Sequence, residues 1–157
     1  VRFTVIATDG TLTAHDRDLD LRAEVGPEGP AQVRLATSVL ATGWVNDDGH
    51  AHPETYPRNI TGSCILLALG AAGHPYAGSV VITGWDPIRE IRSLTDPGLI
   101  ERIHRDVRVA LGQVDRPDGP PPSRRTLAWE SDVREYAEWV GTAPAPTMQL
   151  LRVDGLR

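Results

Sequence analysis

The sequence predicts a small α+β domain, with a mixed or antiparallel sheet and two to three packed helices. Three observations predict it. The run AGSVVITGW at 77–85 is apolar, β-branched and bounded by glycine, the pattern of a core strand. RFTVIA at 2–7 and QVRLA at 32–36 alternate apolar and polar residues at the period of a half-buried strand. TDPGLIERIHRDVRVALG at 95–112 sets Leu99, Ile100, Ile103, Val107, Ala110 and Leu111 on one helical stripe.

Each element follows from its local chemistry. The strand at 2–7 runs into Asp9-Gly10, a turn pair. Residues 15–20 are polar. Leu19, Leu21 and Val25 make either a short helix or an irregular edge before Gly26-Pro27 and Gly29-Pro30 break the chain. In the strand at 32–36, Val33 and Leu35 face inward. Residues 37–45 are apolar without a clean period and end in Gly43-Trp44-Val45. Asn46 to Gly49 (NDDG) reads as a tight turn that ends one strand and begins a short return. The segment 50–58 holds two prolines and reads as a loop.

Further on, Asn59 or Thr61 caps a helix start, and Gly70 or Gly73 ends it. Its interior, Cys64 to Leu69, is apolar on all sides. That suits a buried helix or a central strand; the caps and the alanines favour a helix. The helix at 95–112 is capped by Asp96, carries Pro97 in its first turn and stops at Gly112. Glu101 and Arg105 are spaced for a favourable pair on its outer face. Residues 115–123 form a loop, with Pro120 to Pro122 stiffened toward polyproline II.

A last helix is expected over 132–140, capped by Ser131 or Asp132, with Val133, Tyr136, Ala137 and Val140 as its apolar stripe. A last strand is expected over 147–153. The chain thus divides into a main domain at 1–112, a proline-rich loop at 113–123 and a helix–strand appendix at 124–157. About 35 residues cannot bury much core alone, so the appendix should dock on the rest.

Composition narrows the function. The chain has 157 residues, enough for one domain with one core. Only 5% are aromatic, so the core must be built mostly of Val, Leu, Ile and Ala. All 16 basic residues are arginine. That excludes Schiff bases, the P-loop lysine and every other mechanism needing a lysine amine. It also points to a GC-rich genome, in which Val1 is read as a GTG start. The net charge is −5, with the acidic excess in residues 1–87. Such a chain is poorly suited to non-specific nucleic-acid binding, which needs a basic surface. Cys64 is the only cysteine, so no intrachain disulfide forms. With no secretory signal pattern and no 18-residue apolar span, a cytoplasmic location away from membranes is expected. The sequon at Asn59 is then incidental.

The stretch VIATDGTLT at 5–13 looks like the opening of a haloacid-dehalogenase-type phosphatase. There the motif is Asp-x-Asp-Gly-Thr; the first Asp attacks phosphorus and the second protonates the leaving group. Here Asp9 matches the second, but Ala7 stands at the first, and a methyl group cannot attack. A strand followed by an Asp-Gly turn is the better reading. His50 and His52, with Asp47, Asp48 and Glu54 near them, have spacing that would suit zinc if the His-x-His lay on a strand. Pro53 and the turn before it argue for a solvated loop instead. Cys64 sits among Ile, Leu and Ala, where a thiolate is disfavoured; it reads as a small buried hydrophobe. His74 and His104 have no evident catalytic partner. No glycine-rich phosphate cradle and no Gly-x-Ser-x-Gly elbow is present.

Two surfaces remain for contact. Arg102, Arg105 and Arg108 make a basic strip on the helix at 95–112, with Arg89 and Arg92 before it and Arg124-Arg125 beyond. A salt-bridged, solvated face is the plainer reading; a contact for phosphate or an acidic protein is the sharper one. Trp129 and Trp139 flank the last helix. Buried, they dock the appendix; exposed, they anchor a partner.

The motifs WVNDDG, YPRN, GSCILLALG, YAGSVVITGWD and SLTD, from Trp44 to about Leu94, carry a family resemblance. The chain resembles a domain-of-unknown-function family (three-eight-four-six in the usual naming) found largely in bacteria, their phages and plasmids. The resemblance implies a small cytoplasmic α+β domain, an accessory of a mobile element. It carries over no activity and no catalytic residue.

The function expected is therefore a non-enzymatic interaction module. Its partner would be a host or element-encoded protein, or less readily a nucleic-acid complex, and no cofactor is expected. The alternatives are a metal-dependent hydrolase built on His50, His52 and Asp47 or Asp48, and a small-molecule or nucleotide sensor with its pocket at residues 50–59.

Overall fold

Val80 to Gly84 is buried along its whole length and forms the central strand of the sheet, as its β-branched sequence requires. A computed structural model of the chain describes residues 1–88 and 91–145. The strands are β1 (Arg2–Ile6), β2 (Leu12–Asp16), β3 (Pro30–Arg34), β4 (Ala41–Asn46) and β5 (Val80–Gly84). They form one sheet in the order β2-β1-β5-β4-β3, and every pairing is antiparallel. The helices are α1 (Leu21–Val25), α2 (Ile60–Ala68), α3 (Pro97–Ala110) and α4 (Arg124–Thr142). The protein is thus an α+β fold on an antiparallel sheet.

The register sorts side chains onto two faces. Thr4 pairs with Ile82, and Ile6 with Val80, so these four point to one side. There they meet Cys64, Ile65, Leu66 and Leu69 of the α2 segment and Ile100, Val107 and Ala110 of α3 in the larger core. α4 packs outside these two helices and contributes Val133 and Ala137 to the same core. On the opposite face Phe3, Val81 and Val25 of α1 form a smaller core, flanked by Val5, Leu19, Leu21 and Trp44. Trp44 Nε1 donates to Thr83 Oγ1 at 3.0 Å, which satisfies a polar atom on this face.

α2 is buried on most sides because it lies between the sheet and α4. Its close approach depends on glycine. A Cβ on Gly62 would come within 2.8 Å of Val80, and one on Gly43 of β4 within 2.8 Å of Leu66.

Asn59 fixes where α2 starts. Its Oδ1 accepts from Gly62 N at 2.8 Å, the N-cap bond. Its Nδ2 donates to Ile6 O and to Gly78 O, both at 2.9 Å, and its own N–H donates to Tyr76 O. One fully buried side chain therefore ties the end of β1, the approach to β5 and the first turn of α2.

Several boundaries differ from those the sequence suggests. β2 was not expected. It is an edge strand with only Leu12 and His15 partly buried, so its alternation is faint. The return strand after Asn46 to Gly49 does not form; a single helical turn at Gly49–Ala51 stands there, closed by His52 N to Gly49 O. β3 begins earlier, at Pro30, because Asp47 N reaches Gly29 O across the hairpin. α4 begins at Arg124 rather than 132, capped by Ser123 Oγ on Thr126 N at 3.1 Å. Leu127 and Ala128 of its first turns are exposed, so hydrophobic periodicity could not reveal them. Trp129 and Trp139 consequently lie within this helix and do not flank it. Glu101 and Arg105 form no ion pair among the described residues; Arg102 reaches back to Asp96 instead. The strand expected at 147–153 lies outside the described residues.

Two substitutions test this account. Asn59→Ala orphans buried partners on three elements and is expected to lower unfolding free energy by about 2–4 kcal/mol in urea titration. A loss under about 1 kcal/mol would show that the link is dispensable. Thr4 Oγ1 is buried with no hydrogen-bond partner among the described residues. Thr4→Val keeps the shape and is expected to raise stability by up to about 1 kcal/mol, with clear destabilisation the opposing result.

Candidate functional site

The Asp-Gly turn after β1 is a structural clamp. Asp9 Oδ1 accepts from Thr11 N at 2.9 Å, and its bonds to Thr11 hold its carboxyl below the usual carboxylate value. Gly10 is buried at φ 89°, where an alanine would be strained and would meet Thr61 Oγ1 at 2.8 Å. His104 Nε2 donates to Gly10 O at 2.8 Å, so α3 grips the turn. The groups that resemble phosphatase chemistry are thus engaged in closing a hairpin against two helices.

The two histidines of the 46–58 loop have different surroundings. The helical turn at Gly49–Ala51 replaces the strand that would have put both imidazoles on one face. His50 is half-buried, and burial, then the charges of Arg58 and His74, push its pKa down. His52 is exposed, with Nε2 at 3.5 Å from Asp48 Oδ2. Asp47 and Glu54 face solvent. Among the described residues no group of three or more His, Cys, Asp or Glu side chains is placed to hold a metal ion.

The loop is pinned instead by a polar network that sequence reasoning missed. Glu28 Oε2 accepts from Tyr56 OH at 2.7 Å and from Asn46 Nδ2 at 2.9 Å. Asn46 Nδ2 also donates to Val25 O, while its Oδ1 accepts from Asp48 N. The Tyr56 bond foremost, then the Asn46 bond, lowers the Glu28 pKa and the same contact raises that of Tyr56. Cys64 is buried, and burial pushes its thiol up to about 12, so it stays protonated and unreactive at neutral pH.

The arginine strip is balanced by acid. Arg102 lies 3.7 Å from Asp96, and Arg108 Nε donates to Gln113 at 3.4 Å. Arg105 is exposed, with Glu101 and Asp106 exposed on the same helix. Trp129 is half-buried against the larger core, so it docks α4. Trp139 is 44% exposed and stacks on Tyr136, with ring centroids 5.8 Å apart. Tyr136 OH in turn donates to His74 O at 2.6 Å. α4 is also held by Arg116, whose guanidinium reaches the buried Glu130 carboxylate at 2.6 Å.

The most exposed apolar group lies elsewhere, at the far end of the central strands. Leu40, Trp85, Ile88 and Ile91 are between 37% and 67% exposed. The backbones of Leu40, Trp85 and Ile91 are adjacent. Trp85 N donates to Leu40 O at 2.8 Å, and Gly84 N to Arg92 O at 2.8 Å. Continuing the pairings Ala41↔Gly84 and Gly84↔Arg92 by one residue puts Leu40 and Ile91 on either side of Trp85. Ile88 is 67% exposed, and Asp86 accepts from Ile88 N and from Arg92 Nε, both at 2.8 Å. Leu40 is the only described non-glycine residue at positive φ, 51°. The sequence signal was present: two isoleucines and a tryptophan sit among Asp, Pro and Arg with no strand or helix period to bury them.

Comparison with family models, curated proteins and solved structures found no match.

Glu28 gives a pH test. Its folded pKa lies below the ordinary 4.5, so the stability it adds is present above pH 4.5 and is lost as pH falls through the folded value. Melting temperature should therefore drop on acidification below pH 4.5, and Glu28→Gln should flatten that part of the curve. An unchanged acid slope in the variant would remove Glu28 from the account.

Proposed function

We propose that the protein is a non-enzymatic interaction module, and that it docks an apolar surface of a protein partner against the Leu40–Trp85–Ile88–Ile91 end of the sheet. The observation that carries this reading is that end itself. Four large apolar side chains, each at least a third exposed, are gathered there by the pairing of Leu40 and Ile91 about Trp85 and by the short reach to Ile88. Apolar patches and exposed tryptophans are characteristic of protein contact sites. The held backbone of Leu40 adds to the case, because a leucine kept at φ 51° shows its side chain outward at a conformational cost.

The reactive groups support the same reading. Asp9 closes a turn, Cys64 is buried and protonated, and His104 holds the Gly10 carbonyl. The arginine strip carries nearly matching acid on its own helix, which makes it a weaker contact surface than the sequence suggests. No helix of the described residues is long and apolar enough to cross a membrane. The family resemblance supports a cytoplasmic role in a phage or other mobile element, with a host or element-encoded protein as partner.

A capture experiment tests the reading. The wild-type chain should retain a defined protein from host lysate. Trp85→Ala and Ile88→Asp, each on a surface side chain, should lose it while melting within a few degrees of wild type. Arg102→Glu with Arg105→Glu should keep it. Capture that survives the first pair, or is lost only in the second, would overturn the proposal.

A further inference from the structure

The outer face of α4 carries a pattern that the fold itself does not use. Arg124, Ala128, Ser131, Glu135, Glu138 and Thr142 recur at alternating spacings of four and three, and all six are exposed. The stripe begins basic, becomes small in the middle and ends acidic. Arg125 extends the basic end alongside it, Asp132 lies beside the small middle, and Trp139 stands exposed near the last turn. None of these charged groups forms an ion pair among the described residues.

The charges also oppose the helix they sit on. A helix favours acid at its N-terminus and base at its C-terminus. α4 has two arginines and no acid in its first turn, and no base in its last. Isolated, this helix is charged the wrong way round.

We infer that α4 pairs with α4 of a second copy of this chain, antiparallel, about a two-fold axis near Ser131. That arrangement reverses both penalties. The first-turn arginines of one copy lie against the acidic C-terminal half of the other, and at the negative end of its helix. A two-fold axis makes the contact twice, since Arg124 and Arg125 meet Glu135 and Glu138 and the converse holds. Ala128 and Ser131 at the crossing let the two backbones approach. The guanidinium of Arg125 or Arg124 falls within reach of the partner's Trp139 ring, a cation–π contact. The helix length fits: positions 125 and 138 lie about 20 Å apart along the axis, so both ends engage at once. Exposed ion pairs are individually weak, so the dimer is reversible and sensitive to salt.

The test is sedimentation equilibrium of the full chain over a range of concentrations. The wild type should show a reversible monomer–dimer equilibrium that weakens with added salt. Arg124→Glu with Arg125→Glu should raise the dissociation constant about tenfold or more, as should Glu135→Arg with Glu138→Arg. All four substitutions together should restore it, because the complementarity is then rebuilt with its signs exchanged. Each reversed pair suits the helix dipole, so the melting temperature should hold or rise while the dimer is lost. If the glutamate variant does not fold, Arg124→Gln with Arg125→Gln replaces it as the one-sided test, and the same weakening of the dimer is expected. A chain that is monomeric throughout, a dimer indifferent to these reversals, or a quadruple variant without restored pairing would each overturn the inference.

Discussion

Asn59 stands where three separately formed parts of the chain must agree. β1 delivers a carbonyl at Ile6, the approach to β5 delivers one at Gly78, and α2 offers an unpaired N–H at Gly62. A carboxamide is the side chain that can serve all three, since it has two donor hydrogens and an accepting oxygen on one rigid plane. The bonds form only when the helix start sits over the junction of the two central strands. Ser63, which accepts from Tyr76 N at 3.1 Å, fixes the adjacent turn in the same way. With α2 located, the positions of α3 and α4 follow, because both pack against it.

The two faces of the sheet carry unequal loads. The helical face holds most of the buried aliphatic residues, and each fully buried Ile, Leu or Val there contributes about 1.5–3 kcal/mol. The other face relies on Phe3, Val81 and Val25, assisted by contacts at the rim. His15 stacks on Phe3 at 5.0 Å, and the Arg17 guanidinium lies over the same ring while pairing with Glu24. A single phenylalanine thus organises a rim of polar side chains around a small core. This explains how a chain with so few aromatic residues covers both sides of a five-stranded sheet.

The elements legible in the sequence were those whose own residues are buried or capped. β5 and α3 could be read because Val80 to Ile82 and Asp96-Pro97 declare themselves without reference to neighbours. α2 was legible as a segment, although its uniform apolarity hid which face met the sheet. β2 and the first half of α4 were not legible. Most of their residues face solvent, and their conformation depends on a hairpin partner and on a serine cap after a proline run. The same cause governs the site. The histidine loop reads as a ligand cluster only if extended, and Asn46, which holds Asp48 N at the start of the turn, is itself held by Glu28 from elsewhere in the chain. The exposed Trp85 and Ile88 become a surface only once Leu40 is brought beside them by pairing between β4 and β5.

Leu40 links folding to display. Glycine would occupy its backbone conformation without strain, whereas the leucine there leaves 49% of its surface exposed. The chain therefore accepts about 1–2 kcal/mol of conformational strain at a position whose side chain is half in solvent and belongs to neither core. An isobutyl group kept outward under such tension makes the tip of β4 a place where steadiness of the monomer and readiness for company pull in opposite directions.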